Sequence, residues 1–414
     1  MTADRDNALG LYLSIPFCRS KCTYCNFASG AYPASEHERY VERIVHDLNS
    51  ARAWADESGV ELPGRVDTVY LGGGTPSLLA PHLIAKLFAA MRANFEFDAD
   101  AEITVECAPG QIADDTLAAL DAAGVNRVSL GVQSFIDREA QSSGRLHSRA
   151  IVLEDLRRLR AAGIGNINLD LIAGLAGQTF ASWTESLRVL VDTGVPHASV
   201  YMLEVDEDSR LGREMLAGGV RYHAELVPAD DAIARMYIEA LEALAGAGLA
   251  QYEISNFSRP EFGSRHNLRY WERRPYLGLG LDASSMLRAP AKQSGELRNV
   301  LRATTTDDLA AFLEAPQAVE TAWHSAAAQH EEAWFLGLRL NAGVTASELE
   351  REFGRLMVEP ALAVVSRLVE DGLLIDDRGR IRLTPRGRLL SNDVFQEFLE
   401  LAPEAELVRS GIHS

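Results

Sequence analysis

The chain has 414 residues, a formal net charge of −19 at pH 7, an apolar fraction of 47% and only four cysteines. That length accommodates two or three domains with a large buried core. The acidic balance, without a basic stripe, argues against nucleic acid and anionic membrane surfaces as partners, because phosphate contacts need clustered Lys and Arg. No apolar run reaches about 18 residues, so no integral membrane segment is expected. Met1–Asn7 lacks the charged-then-apolar pattern of a secretory signal. Few, closely spaced cysteines indicate ligation chemistry in a reducing cytosol, and hence a cytoplasmic protein.

In chain order, candidate strands at Leu11–Phe17, Val66–Leu71, Glu102–Cys107, Arg127–Leu130, Asn166–Ile172 and Ala198–Leu203 alternate with helical patterns. The helices are expected at Ser35–Ala55, Leu78–Asn94, Asp114–Ala123, Ser148–Ala162 and Phe180–Thr193, with Gly124, Gly163 and Gly194 as stops. Such alternation implies an α/β fold with a parallel sheet and right-handed crossovers. The Val, Ile and Leu content of the strands reads as burial on both faces. A six-unit partial barrel and a doubly wound open sheet both fit, and either gathers ligands at the C-terminal strand ends. Residues 205–260 read as charged and helical, broken near Pro228; residues 262–300 are rich in Gly, Arg and aromatics. Helices at Ala326–Leu338, Thr345–Phe353 and Pro360–Glu370 then precede two short strands around a turn at Asp376–Gly379, a winged-helix-like pattern. DNA binding does not follow from that fold alone. The expected division is 1–205, 206–325 and 326–414.

The unusual chemistry sits at the strand ends. Cys18, Cys22 and Cys25 follow the first strand as C-x3-C-x2-C. Three soft thiolates at that spacing can converge on an iron–sulfur cluster and leave one iron open. Arg19 and Lys21 beside them favour thiolates. The alternative is structural zinc, which wants four ligands and would have to recruit Cys107, His37 or His46. After the second strand, Gly72-Gly73-Gly74-Thr75-Pro76 lets backbone groups approach the amino group of an amino-acid-like ligand. Glu106 at the third strand end suits ribose hydroxyls, or else a salt bridge to a neighbouring Arg. Gln133 can donate and accept, Arg145 can clamp a carboxylate, and Asp170 interrupts a very apolar strand.

Together these segments resemble the radical S-adenosylmethionine (SAM) superfamily, in its coproporphyrinogen III dehydrogenase-like branch, over roughly residues 10–400. The resemblance implies a six-unit partial (β/α) barrel and a C-terminal winged-helix-like α+β domain. It implies a [4Fe–4S] cluster on Cys18, Cys22 and Cys25, with SAM chelating the open iron. Gly73, Gly74, Thr75, Glu106, Gln133, Arg145 and Asp170 match positions that contact SAM, and Tyr12 matches a tyrosine near the active site. An electron from the cluster would break a carbon–sulfur bond of SAM and give a 5′-deoxyadenosyl radical, while the protein orients SAM and excludes water.

Within the branch, the oxidative decarboxylases carry a further cysteine where this chain has Phe27, and Cys25-Asn26-Phe27 is similar to the HemW-type heme chaperones. Ser264-Arg265-His266-Asn267-Leu268-Arg269-Tyr270-Trp271 reproduces their H-N-x-x-Y-W motif. That likeness implies heme at His266, Asn267, Tyr270 and Trp271, with His266 as axial ligand, aromatic packing on the porphyrin, and Arg265, Arg269, Arg273 and Arg274 pairing with propionates. The other reading of this motif is a loop pinned by aromatics with His266 merely hydrogen-bonded. Ala176, Ser284 and Cys107 depart from the usual family residues (proline, histidine, and a small or amide residue), and Ser284 puts a second heme or active-site role at its loop in doubt. The expected function is therefore binding of heme and its transfer to acceptor proteins. The alternative is oxygen-independent coproporphyrinogen III dehydrogenation. The motifs leave open radical chemistry on another substrate, an electron-donor protein and a homodimer.

Overall fold

Strand residues point alternately to opposite faces, and in this chain one face is polar. Tyr12 and Ser14, Thr68 and Tyr70, Glu102, Thr104 and Glu106, Arg127 and Ser129, Asn168 and Asp170, and His197, Ser199 and Tyr201 share the inner parity of six successive strands, while Leu, Val and Ile fill the outer one. A computed structural model describes residues 8–207, 209–219, 221–291, 297–314, 319–399 and 401. Residues 1–7 and 402–414, where the expectation of no secretory signal and the end of the expected 326–414 unit fall, lie outside the described residues.

The six units run as expected. Strand β1 (Ala8–Ile15) leads through the cysteine loop to α1 (Ala34–Glu57), and β2 (Arg65–Gly73) through a short turn to α2 (Pro81–Asn94). Next come β3 (Glu96–Cys107) and α3 (Asp114–Ala123), β4 (Arg127–Gln133) with α4 (Asp137–Ser142) and α5 (Arg149–Ala161), and β5 (Asn166–Ala173) with α6 (Phe180–Thr193). Strand β6 (His197–Met202) is followed by α7 (Arg210–Ala217) and α8 (Asp230–Gly246). Strands β1 to β6 are parallel neighbours in sequence order. The outer apolar face packs on the helices to form the main core, for example Leu11, Leu13, Val69, Val105, Val128 and Leu169 against Ile44, Leu87 and Leu156. As expected, both faces of these strands are largely buried, but the inner face is lined by polar side chains.

The same sheet continues beyond the six units to twelve strands. β7 (Ala250–Gln251) and β8 (Asn256–Ser258) extend it antiparallel past β6; after α9 (Arg265–Trp271), β9 (Tyr276–Leu279) pairs parallel with β1. β10 (Ser284–Arg288), β11 (Val300–Thr305) and, after α10 (Leu309–Glu314), β12 (Val319–His324) complete that side. These strands are short and were not expected from the sequence.

Helix α9 closes the N-terminal end of the barrel. Its first two free N–H groups, on Arg265 and His266, donate to the Glu102 carboxylate at 3.1 and 3.0 Å, as the partial positive charge of a helix start favours. Arg269 is fully buried; it donates to Asp67, to the Ala8 carbonyl at 2.9 Å and to the Pro275 carbonyl at 2.8 Å. Arg274 meets the other Asp67 oxygen at 2.8 Å. Gly10 makes room for this plug, since a Cβ there would lie 2.5 Å from Arg269 Cδ.

The C-terminal unit consists of α11 (Ala326–Arg339), β13 (Val344–Thr345), α12 (Ala346–Phe353), α13 (Arg355–Glu370), β14 (Leu374–Asp377), β15 (Arg380–Leu383), α14 (Pro385–Leu389) and α15 (Ser391–Gln396). Three helices followed by a hairpin give the winged-helix-like arrangement. The hairpin turn places Arg378 and Gly379 at φ +56° and +87°, the geometry that two-residue turns demand. Pro360 lies inside α13 rather than at its start, because Gly354 sets the helix origin earlier. The unit has its own apolar cluster around Trp334, Val358, Leu374 and Ile381.

Replacing Asp67 by Ala would leave Arg269 buried without its carboxylate. The expected loss is about 3–5 kcal/mol of unfolding free energy in urea; an unchanged midpoint would show that the barrel end does not rest on this ion pair.

Candidate functional site

The cysteine loop leaves β1 and is held by backbone from four directions. The Cys18 N–H donates to the Gly30 carbonyl at 2.8 Å, and the Gly30 N–H to Pro16 at 2.9 Å. Gly74 and Thr75, after β2, donate to the Ile15 and Phe17 carbonyls at 2.9 and 2.8 Å. The Thr23 N–H donates to Ser143 after α4 at 3.1 Å, and the Leu211 N–H of α7 donates to Thr23 at 2.9 Å. Two glycines permit these approaches. A Cβ on Gly74 would meet Ile15 O at 2.7 Å, and Gly144, at φ +90°, would place one 3.2 Å from Cys22 Cα. The glycine run was expected to offer both donors and acceptors to a ligand. Its Gly74 and Thr75 N–H groups instead pin the cysteine loop, so carbonyls are what a ligand ammonium would meet there.

Cys18, Cys22 and Cys25 line one cavity of about 1080 Å³, and so do Gly73, Gly74, Thr75, Glu106, Gln133, Arg145 and Asp170. All ten are brought together at the C-terminal mouth and upper wall of the barrel. Burial pushes the Cys18 thiol up, opposed by the Ser29 and Thr75 hydroxyls. Lys21 Nζ donates to the Phe27 carbonyl at 3.0 Å. Among the described residues, no three His, Cys, Asp or Glu side chains stand close enough to hold a single metal ion. Of the zinc alternates, His37 stacks on Phe17 with centroids 3.8 Å apart, and Cys107 is buried with its thiol pushed up by burial to about 12.

Deeper in, the Tyr70 hydroxyl donates to Glu106 at 2.7 Å, and burial raises the Glu106 carboxyl to about 7. Asp170 accepts from Asn168 Nδ2 at 2.7 Å and Ser129 Oγ at 3.2 Å; burial pushes it up against those donors. Arg145 donates to the Tyr24 hydroxyl at 2.9 and 3.2 Å. Gln133 ends β4 where its register with β5 shifts, holds φ +66°, and has its buried Oε1 without a protein partner. The strained Gln133 amide therefore leaves an acceptor on the cavity wall free for a donor from outside the chain.

The H-N-x-x-Y-W residues lie at the other end. His266 is fully buried, with Nδ1 3.0 Å from Thr68 Oγ1 and Nε2 2.8 Å from the Tyr270 hydroxyl. Burial holds it well below its ordinary value, hence neutral. Its ring lies 5.3 Å from Tyr70 and 6.4 Å from Tyr12, and burial pushes the Tyr12 phenol far up. Of the four motif residues only Asn267 lines the cavity; Arg339 lies over the Trp271 ring at 4.2 Å. The four arginines read as propionate partners already have carboxylates: Arg269 and Arg274 hold Asp67, Arg265 reaches Asp100 at 3.5 Å, and Arg273 holds Glu352 at 2.7 and 2.9 Å. That reading is corrected by their geometry. The loop signal concealed ion pairs to distant segments. Phe27 is 61% exposed at the mouth beside Cys25.

Comparison with known proteins places this geometry. The Radical SAM superfamily model matches residues 12–190, and the HemN C-terminal domain model residues 325–390. The heme chaperone HemW of Lactococcus lactis is 32% identical, covering 94% of this chain and 96% of that one. HemW of Mycobacterium tuberculosis is 34% identical, covering 94% of each. The chain belongs to the HemW family. The Escherichia coli coproporphyrinogen III oxidase HemN, a radical SAM enzyme, shares its fold at a TM-score of 0.78 and 24% identity, covering 94% of this chain and 90% of that one; the likeness is one of fold. HemW-family membership within the radical SAM superfamily implies a [4Fe–4S] cluster and SAM. The donor set fits: three thiols open into one cavity, and the unpartnered Gln133 Oε1 sits on its wall.

Because Glu106 is raised from 4.5 to about 7, the folded state holds a proton that the unfolded state releases. That contribution is fully present below the unfolded value and is lost as pH rises to 7. The melting temperature of wild type minus that of Glu106→Gln should therefore rise as the apoprotein is taken from about pH 8 to about pH 5. A flat difference would show Glu106 to be solvated.

Proposed function

We propose that this chain binds heme and hands it to acceptor proteins, carrying a [4Fe–4S] cluster on Cys18, Cys22 and Cys25 and SAM beside it. What carries this reading is the near-full-length match to heme chaperones named HemW, joined to Phe27 in place of a further thiol. When bound, the cluster and SAM supply one-electron chemistry. The chain's own residues do the rest. Arg145 holds a carboxylate, Gln133 and Asp170 orient hydroxyl and amino groups, and Glu106 accepts hydrogen bonds with Tyr70 as its inner neighbour. The pinned cysteine loop presents the three thiols to one cavity. A cytoplasmic setting is part of the proposal, supported by the unpaired cysteines. An electron-donor protein and a homodimer complete the proposal. The division 1–205, 206–325 and 326–414 is kept, with the middle segment supplying the outer strands and α9.

For heme, His266, Asn267, Tyr270 and Trp271 remain the proposed contacts, on one condition set by the geometry. Iron reaches His266 Nε2 only when the Tyr270 hydroxyl leaves it. Titration of anaerobically reconstituted protein with hemin should give a saturable Soret shift, absent in His266→Ala and tightened up to about tenfold in Tyr270→Phe, which removes one hydrogen bond to Nε2. Undiminished binding by His266→Ala would move the ligand elsewhere. Formation of vinyl product from coproporphyrinogen III, without heme binding, would favour the dehydrogenase reading instead. In parallel, Cys18→Ser, Cys22→Ser and Cys25→Ser should each lose most of the iron and the visible absorbance of wild type. Retention of both in all three would remove the cluster from this loop.

A further inference from the structure

Arg127 opens β4 on its inner face, at the opposite end of that strand from Gln133. The two are roughly 20 Å apart along an extended chain. The residue is 2% exposed and lines the same cavity as the cysteines. Its Nε is buried without a partner, and no carboxylate lies within ion-pair distance of its guanidinium among the described residues. The three inward carboxylates are held by other donors: Glu102 by the N–H groups of α9, Glu106 by Tyr70, and Asp170 by Asn168 and Ser129. The other titratable groups that feel its charge, Tyr70, His197, Tyr252 and His266, are neutral side chains. The contrast with Arg269, equally buried but carrying Asp67 and two carbonyls, is direct. A guanidinium buried on a cavity wall with no counter-charge is unfavourable, so an anion from outside the chain is the group that fits.

The cavity has room for one. Its volume of about 1080 Å³ lies above the roughly 300–1,000 Å³ usual for a single small ligand. Arg145 serves the upper level, where a Cβ on Gly131 would touch its guanidinium at 3.1 Å. The belt formed by Ser129, Asn168, Asp170 and Ser199 separates that level from Arg127. We propose that Arg127 is the receptor for a carboxylate of the second ligand, a propionate of the tetrapyrrole, distinct from the carboxylate bound at Arg145. The assignment rests on the heme reading above for the identity of that ligand.

The test compares hemin with its dimethyl ester, which has the same ring and iron but no carboxylate, on wild type and Arg127→Met. Wild type should prefer hemin by about 10- to 100-fold, the range of one charge-assisted hydrogen bond pair, and Arg127→Met should erase that preference while SAM binding stays unchanged. The apo variant should melt no lower than wild type, since an unpaired buried charge has been replaced by an apolar side chain. A preference kept by the variant overturns the inference and leaves the heme reading standing. Weakened SAM binding would assign Arg127 to the upper level and overturn it too. A melting temperature several degrees lower would reveal an internal partner, with the same consequence. Failure of wild type to bind either porphyrin would instead remove the heme reading and, with it, the propionate.

Discussion

A barrel whose inward side chains are polar cannot fill its interior with a packed aliphatic core. In a packed barrel the interior is filled by branched aliphatics and the strands hold one another through it. Here Thr68, Glu102, Thr104, Ser129, Asn168, His197 and Ser199 occupy that space, and each must find hydrogen bonds or lose stability. Most do so by pairing across strands, as Asn168 does with Ser129, Ser199 and His197. The lower end is sealed by α9 through Glu102 and Asp67. What is left over, Gln133 Oε1 and Arg127 Nε among others, faces the cavity. The interior is thus built as an incomplete network that a polar ligand completes.

The cysteine loop shows the complementary principle. A segment of this length between a strand and a helix would wander if left to itself. Backbone bonds to the ends of β1 and β2, to the turn after α4 and to α7 fix it before any ligand arrives. The residues that make this possible are glycines, whose missing Cβ atoms let two backbones touch. Preorganisation of this kind lowers what binding must overcome.

The amino-acid sequence made the six units legible, because each strand carries a strong apolar run and three helices end on left-handed glycines. It also made the cavity legible: the ten residues picked for cluster and SAM converge on one wall. The alternation inside the strands was equally present, in Thr-Val-Tyr-Leu from Thr68, Glu-Ile-Thr-Val-Glu from Glu102 and Arg-Val-Ser-Leu from Arg127, yet the aliphatic half of the pattern masked the polar half. That is why Arg127 was missed while Arg265, Arg269, Arg273 and Arg274 attracted notice. Partners far along the chain, such as Asp67 for Arg269 and Glu352 for Arg273, leave no local trace. The strands from 250 to 324 were obscure because they are short and gain their stability from neighbours rather than from their own periodicity.

The second unit has a bearing on traffic. Leu389, Leu390, Ser391, Asn392 and Asp393 form part of the same wall as the cysteines and Asp170, and Asn341 ties their unit to the sheet edge through the Tyr252 and Gln251 carbonyls. A ligand that touched both sides would link its own occupancy to the seating of this flank. Such a guest would hold the flank in place, and loosening the flank would shorten the guest's stay without any contact at the cysteines.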